Sequence, residues 1–381
     1  MEALLMVFDK TSGKTGTADT PTDQLSNKYS VIILGIFALV ATTGNYFHQP
    51  ISCYCPTEFK GSEIEFVEKV CYTQTTYYLN YAEFDTNTQS VSYYQWISLI
   101  LAGQAFLFYL PSSIWKIMGK KSGLALSSIT DSVKRCRRNL DFEGNETALQ
   151  FASNTLNNYL HVQNKNTSEK KKKWLIFKGN YLAYLYLFIK FLYCLNAVGQ
   201  LFILNAFLGD NYHFYGIEFL DNMRNGVTWK SSRKFPKVTF CNVSIFVPFN
   251  IHHRFLQCVL PMNLIYEMMF LVIWMWLVFI GIVSCVSMAK WTFETIRVGK
   301  RVEYVKDLLI KSRCLDSCHG DEDEIRKFVC DYLRKDGCFI LRMVEANADK
   351  WITWRLLGEI WSKYQAKKHL KNKLSKIKET C

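Results

Sequence analysis

Four long apolar segments constrain the fold of this chain more than any other feature of its sequence. They occupy residues 29–47, 92–115, 181–208 and 263–289. A helix of about 20 apolar residues is long enough to cross a hydrocarbon core of about 30 Å. Because no water reaches the backbone inside a bilayer, each segment is predicted to be a transmembrane helix. The predicted fold class is therefore an all-α polytopic membrane protein with four transmembrane helices.

The charges beside these segments predict the orientation of the chain. Residues 116–180 and 290–381 contain many more Lys and Arg than Asp and Glu, whereas residues 48–91 are acidic on balance. An excess of basic residues beside membrane helices is typical of the cytoplasmic side. Residues 209–262 are mildly basic and disagree, but the other segments outweigh them. We therefore expect a multi-pass plasma-membrane protein with both termini in the cytoplasm.

The predicted helices divide the chain into segments with different environments. The cytoplasmic parts are the N-terminal segment 1–28, the loop 116–180 and the C-terminal region 290–381. The extracellular parts are the loops 48–91 and 209–262. In the C-terminal region, apolar spacing predicts helices over 291–312 and 351–364, with Gly337 as a helix end. We expect the cytoplasmic helices to pack into a dome.

The net charge of +13 does not require a nucleic-acid partner. A basic recognition motif of a nucleic-acid-binding fold is not recognised, so nucleic acid is not expected to bind. The basic runs at 170–173 and 367–378 are suited to anionic membrane lipid on the cytoplasmic side. For the second run, a solvated tail is the preferred interpretation.

The cysteines of the two extracellular loops are candidates for disulfide bonds. Cys53, Cys55 and Cys71 lie in the first of these loops, and Cys241 and Cys258 lie in the second. Pairing is expected outside the cell because that compartment is oxidising, and the odd count leaves one thiol over. Four paired cysteines allow three connectivities, which the cysteine positions alone leave open.

Neither a metal site nor a catalytic site is expected. Cys314, Cys318 and His319 are close in sequence, but the fourth ligand of a tetrahedral zinc site is missing. Ordinary reduced cysteines are the preferred interpretation. Motifs typical of hydrolases, metalloproteases and nucleotide-binding enzymes are not recognised, so we expect no enzyme activity and no cofactor.

Several motifs beside the predicted helices carry a family resemblance. Tyr93, Tyr94, Gln95 and Trp96 spell YYQW at the start of the second helix. Further motifs are PISC at 50–53, FPKVTFC at 235–241, QCVLPMN at 257–263 and YLRKDGCFILRMV at 332–344. In this order they resemble the innexins, the invertebrate gap-junction proteins. The resemblance spans residues from about 30 to 345.

The resemblance implies a ring-shaped homo-oligomer, with an octamer as the suggested size. Such a ring docks with a facing ring of the same or another innexin and passes ions and small molecules between cells. Two cysteines in each extracellular loop are typical of the family, which leaves Cys55 as the odd thiol. The hypothesis for the pairing is Cys53–Cys258 and Cys71–Cys241.

The resemblance also places the start of the chain in the pore mouth. The residues predicted to line the pore are Met1, Glu2, Leu4, Leu5, Phe8 and Asp9. Acidic rings favour cations, and apolar constrictions can close a pore by dewetting. The acidic residues Glu58, Glu63, Glu65 and Glu68 could enrich cations outside the cell, or could simply form a solvated loop surface.

Other single residues have both a functional and a structural interpretation. Pro111 should kink the second helix, as a gating hinge or as a static bend. Lys190 and Glu267 are charges inside predicted membrane helices, and snorkelling or packing is preferred over a role in permeation. Asn242 begins an Asn-Val-Ser sequon and is a possible glycosylation site. The rings of YYQW are expected to anchor the helix at the membrane interface.

Three functions remain open at this point. The preferred one is a gap-junction channel subunit. The alternatives are an undocked plasma-membrane hemichannel that releases ions or ATP, and a non-conducting adhesion or scaffold protein.

Overall fold

The computed structural model describes most of the chain. The described residues are 19–47, 50–57, 59–74, 76–78, 89–91, 93–122, 128–130, 132, 142–168, 179–209, 212–225, 235–247, 249–312, 322–347 and 350–379. Helices predominate among them. They are α1 (Pro21–Gln24), α2 (Ser30–Phe47), α3 (Gly61–Thr73), α4 (Ile97–Lys120), α5 (Phe142–Ser168), α6 (Tyr181–Leu208), α7 (Tyr215–Arg224), α8 (Met262–Ile296), α9 (Val298–Lys311), α10 (Glu322–Lys327), α11 (Arg334–Asn347) and α12 (Lys350–Glu379).

Four helices in the described part of the chain are long and apolar enough to cross a membrane. They are Pro21–Asn45, Ile97–Lys120, Tyr181–Leu208 and Met262–Ile296, and we call them the first to fourth membrane helices. The predicted architecture of four membrane helices is confirmed. The first helix begins at Pro21 instead of residue 29, and the fourth continues to Ile296, beyond the expected end at residue 289.

The early start of the first membrane helix has a local cause. Thr20 precedes Pro21, and the fixed φ of a proline suits the first helical position. Asp23 follows two residues later, and its side chain accepts a hydrogen bond from the Thr20 amide at 3.3 Å. This is one half of a capping box, a strong helix start. A π-helical turn, Leu25–Tyr29, then joins α1 to α2.

Strands from two separate loops form one antiparallel sheet, which the all-α expectation did not include. The strands are β1 (Ser52–Tyr54), β2 (Thr76–Tyr78), β3 (Gln89–Val91), β4 (Val238–Val247) and β5 (Asn250–Val259). Their order in the sheet is β1-β5-β4-β2-β3. The β4–β5 hairpin therefore lies at the centre, and strands of the first loop flank it on both sides.

The C-terminal region is helical, as predicted, but two expected details are wrong. Gly337 does not end a helix: it lies inside α11, where the side chains of Leu333 and Leu160 pack around it. The backbone break lies at Arg334 instead, whose φ is 56°. The helix expected over 291–312 is also divided, because α8 ends at Ile296 and α9 begins at Val298.

The chain divides into two compact units, and each contains part of all four membrane helices. The helical unit comprises the described parts of 1–24, 111–192 and 284–381. The disulfide unit comprises the described parts of 25–110 and 193–283. Each has its own buried core. Aromatic rings of Trp115, Tyr186, Trp291 and Phe339 meet in the helical unit, whereas apolar side chains surround the paired cysteines in the disulfide unit.

Candidate functional site

Two disulfide bonds join the first loop of the disulfide unit to its other loop. Cys53 bonds to Cys258, and Cys71 bonds to Cys241. Cys53 and Cys258 lie directly opposite each other on β1 and β5. Cys71 lies near the end of α3 and reaches β4. These are the two pairs of the hypothesis made from the sequence, and each closes a long stretch of chain, with sequence separations of 205 and 170 residues.

The two disulfides are neighbours. The sulfur atoms of Cys53, Cys71 and Cys258 all lie within 4.8 Å of one another. Because all three are already bonded in disulfides, they lack the thiolates that a metal ion would need. Cys55 has a free, partly exposed thiol in the same loop. Partial burial is the larger cause that raises the pKa of this thiol, and the nearby Glu68 carboxylate is the smaller one. The thiol therefore stays protonated at neutral pH.

The YYQW motif holds the first loop against the second membrane helix. The Tyr94 hydroxyl donates to the carbonyl of Tyr72 at 3.2 Å, and the Gln95 amide donates to the Thr73 carbonyl at 3.3 Å. Tyr94 is buried, whereas Trp96 is 55% exposed. Interfacial anchoring therefore suits Trp96, whereas Tyr94 and Gln95 bond the end of α3, next to the Cys71 disulfide.

Asn263 brings three of the family-like motifs together. Its amide donates to the Pro236 carbonyl at 2.7 Å and to the Tyr93 hydroxyl at 3.2 Å. Nearby, Tyr266 donates to Asn45 at 2.6 Å, and the Asn45 amide donates to the Tyr94 carbonyl at 3.2 Å. Side chains of the first and fourth membrane helices thus bond the short turn Tyr93–Gln95, just before the second. Sequence reasoning missed Asn45 and Tyr266 because single polar residues in apolar segments do not reveal their partners.

The acidic residues of the first loop have local partners. Glu63 accepts from the Lys60 amide at 2.9 Å and caps α3, and Glu65 forms an exposed ion pair with Lys69. Glu68 accepts from the Cys53 amide at 3.2 Å. Glu58 lies outside the described residues. These contacts support the structural interpretation of the acidic run, and its effect on cations stays a prediction.

The β4–β5 hairpin presents apolar side chains to solvent. Phe246, Phe249, Ile251 and Phe255 are all exposed on it. Asn242 is also exposed, and alternation along β4 places it on the same face as Phe246. The sequon is therefore accessible, and its glycosylation stays a prediction. Pro111 lies inside α4, and its role as a hinge or a static bend stays open.

Of the two structural roles predicted for Lys190, snorkelling is wrong, and the residue is packed inside the protein. Only 2% of the residue is exposed, and its ammonium group lies 2.8 Å from the Asp23 carboxylate. The ammonium also contacts the hydroxyls of Thr22 at 2.9 Å and Ser287 at 2.8 Å. Tyr186 donates to the second oxygen of Asp23 at 2.7 Å. This buried polar cluster joins the first, third and fourth membrane helices within the helical unit.

Glu267 is the opposite case, and snorkelling is wrong here too. It is 1% exposed, and neither carboxylate oxygen has a hydrogen-bond partner among the described residues. Burial of an unpaired ionised carboxylate is costly, in contrast to the paired charge of Lys190.

The family-like motif at 332–344 supplies a cap to the third membrane helix. Asp336, on α11, accepts a hydrogen bond from the amide of Ala183 at 3.0 Å. Tyr159 donates to its second oxygen at 3.2 Å. A carboxylate suits the positive end of a helix dipole. Burial nevertheless dominates and raises the pKa of Asp336 to about 6.

Gly179 is required beside this cap. Its φ of 76° lies in the left-handed region, and an added Cβ would lie 2.6 Å from the Arg334 side chain. Its carbonyl accepts the amide of Asp336 at 3.2 Å. The close approach of these two backbone segments brings the carboxylate to the helix end.

Comparison with known proteins supports what these motifs indicate. The innexin family model matches residues 19–364. The chain belongs to the innexin family. Innexin unc-9 of Caenorhabditis elegans is 31% identical over 90% of this chain and 91% of its own length. Innexin-5 and Innexin-16 of the same nematode are 28% and 30% identical, covering 96% and 90% of this chain and 86% and 89% of their own lengths.

Membership of the innexins agrees with the function expected from the motifs. This innexin is a gap-junction channel subunit and a multi-pass membrane protein. The predicted pore-lining residues lie outside the described residues, so their placement stays a prediction. They are Met1, Glu2, Leu4, Leu5, Phe8 and Asp9.

Proposed function

We propose that this innexin assembles into a homo-oligomeric ring, an octamer, and docks with a facing ring of the same or another innexin. Ions and small molecules then pass through the joined rings without chemical change. Four helices of one chain cannot enclose a wide aqueous path, so several subunits must surround it. Head-to-tail contacts that close on themselves produce such rings.

The observation that carries this proposal is the disulfide-linked sheet. Two loops far apart in sequence are joined covalently, and the joined structure exposes an apolar hairpin with Phe246, Phe249 and Phe255. Exposed apolar patches often serve as contact sites for other proteins. We assign this sheet to the extracellular side and both termini to the cytoplasm, because disulfides persist in oxidising compartments and basic segments stay inside.

The start of the chain is assigned to the pore in this proposal. The residues concerned are Met1, Glu2, Leu4, Leu5, Phe8 and Asp9. The acidic residues among them would favour cations, and the apolar residues would provide a constriction.

Dual voltage clamp on apposed cells that express only this chain tests the proposal. Junctional conductance is expected in wild-type pairs and in Cys55→Ser pairs, and it should disappear with Cys53→Ser. Cys55 is the matched control because it is a free thiol two positions away in the same loop. Current across single cells without coupling would instead favour the hemichannel. Surface protein without either current would favour the scaffold.

A glycan on the hairpin would affect the docked channel and the undocked hemichannel differently. A glycan on Asn242 would share the strand face of Phe246 and hinder docking. If the site is used, Asn242→Gln should increase junctional conductance per surface subunit and leave single-cell current unchanged.

A further inference from the structure

We propose that the buried Asp23–Lys190 ion pair is a positioning device for permeation. It would fix the point at which the chain, after the predicted pore-lining residues, enters the membrane helices. This inference rests on the proposed pore role of the first nine residues of the chain. The pair has no contact with the permeant path in this proposal and acts through the segment that precedes it.

The cluster holds the beginning of the first membrane helix from two sides. Asp23 lies in the first turn of that helix, and one of its oxygens is 2.8 Å from the Lys190 ammonium. Its other oxygen accepts from the hydroxyls of Thr20 and Tyr186, both at 2.7 Å. Both carboxylate oxygens therefore have partners. One contacts Lys190 of the third membrane helix, and the other accepts from Tyr186 of that helix and from Thr20 at the helix start.

The lysine side of the pair is equally constrained. Besides Asp23, the ammonium contacts hydroxyls on Thr20 at 3.1 Å, Thr22 at 2.9 Å and Ser287 at 2.8 Å. Thr22 and Ser287 also contact each other at 3.1 Å. The helix start is thus bonded to the third and fourth membrane helices in one defined position, and sliding or rotation would break several charged contacts together.

Stability alone is a weak explanation for this arrangement. Apolar side chains of similar volume stabilise a buried site as well as an ion pair does, and often better. What the pair adds is a unique geometry, since a carboxylate and an ammonium with this many partners fit together in one way. A defined helix start fixes where the chain that follows the predicted pore residues joins the membrane helices, and this point must be the same in every subunit of a ring.

The experiment uses a double variant that removes the pair without leaving a buried orphan charge. Asp23→Asn/Lys190→Met keeps a capping side chain in the first helical turn but loses the ionic contact with the third helix. Asp9→Cys is introduced into the wild type, the double variant and the control variant, and each protein is expressed in cell pairs. A positively charged methanethiosulfonate in both pipettes then modifies the introduced thiol, and the decline of junctional conductance gives the rate. The wild-type chain, which retains Asp9, gives the background rate at which the reagent modifies native cysteines.

The expected result is a modification rate changed about fivefold or more by Asp23→Asn/Lys190→Met, with surface protein close to wild type. The matched control is Lys300→Met/Glu303→Gln, which removes an exposed ion pair of the same unit and should leave the rate unchanged. If the double variant reaches the surface with the wild-type rate and the wild-type unitary conductance, the pair is only structural and the inference is overturned.

Two further outcomes separate this inference from the proposed function. If Asp9→Cys does not respond to the reagent while junctional conductance is normal, the pore role of the N-terminal segment is wrong and the inference fails with it. If the double variant does not reach the surface, Asp23→Asn/Lys190→Gln decides, because it also removes the ion pair but keeps a polar side chain beside the hydroxyls of Thr22 and Ser287. A changed rate would then support the inference, and an unchanged rate would contradict it.

Discussion

The disulfide unit and the helical unit connect distant parts of the chain by different chemistry. In the disulfide unit, Cys53–Cys258 and Cys71–Cys241 join two loops covalently. In the helical unit, buried charged side chains join distant parts of the chain: Lys190 pairs with Asp23, and Asp336 caps the third membrane helix. The disulfides add a covalent constraint to the apolar core that surrounds them. Buried charges instead depend on every partner being in place and on pH.

The largest effect is expected from loss of both covalent links. Cys53→Ser/Cys71→Ser should lower the free energy of unfolding by roughly 4–8 kcal/mol, because each bond constrains a long stretch of the unfolded chain. Fluorescence-detected size-exclusion chromatography after heating, in detergent, should show the loss as a lower apparent melting temperature. Cys55→Ser is the control and should match wild type. A double variant as stable as this control would show that the apolar core alone holds the loops.

Much of the architecture could be predicted because the bilayer fixes the length of a helix. The four apolar segments follow from composition alone. The sheet could not be predicted, because β1, β2 and β3 have three residues each, and β1 and β2 pair with β5 and β4, which lie far away in sequence. Such register depends on contacts that local patterns do not contain.

The buried charges could be found in the sequence, but their partners could not. Lys190 and Glu267 are conspicuous in apolar segments, yet the partner of Lys190 lies in residues that were assigned to the cytoplasmic N-terminal segment. The signal that could have found it is Thr-Pro-Thr-Asp at 20–23, which is a typical helix start. Asp336 was part of a family-like motif, but its carboxylate reaches a helix more than a hundred residues earlier in sequence.

The next effect tests the dependence of the helical unit on pH. Burial raises the pKa of Asp336 from 3.8 to about 6. Between these values the folded protein binds the proton and the unfolded chain does not. Stability from this group is therefore complete below about pH 4 and is lost as pH rises to about 6, by on the order of 3 kcal/mol.

Asp336→Asn should remove this dependence. Thermal unfolding in detergent at pH 4.5, 5.5 and 6.5, about the titration range, measures the stability of both proteins. The wild type should become steadily less stable relative to the variant as the pH rises. Asp307→Asn, which alters an exposed ion pair on α9, should run parallel to the wild type. If the stability of Asp336→Asn instead followed that of the wild type at all three pH values, the Asp336 carboxyl of the folded protein would titrate as it does in the unfolded chain.

The smallest effect is expected at Glu267, which is buried in the disulfide unit. Glu267 has no hydrogen-bond partner among the described residues, so Glu267→Gln replaces a buried carboxyl group without breaking a contact there. The expected change is neutral or stabilising by about 1 kcal/mol, whereas Lys190→Met, which orphans Asp23, should cost about 3–5 kcal/mol. Reversal potentials in a potassium chloride gradient should also stay at the wild-type value, because the side chain is enclosed within its own subunit. A loss of stability as large as that of Lys190→Met would mean that ring assembly supplies a partner to Glu267. The two units would then depend on buried charge alike, and the contrast between covalent and ionic connection would fail.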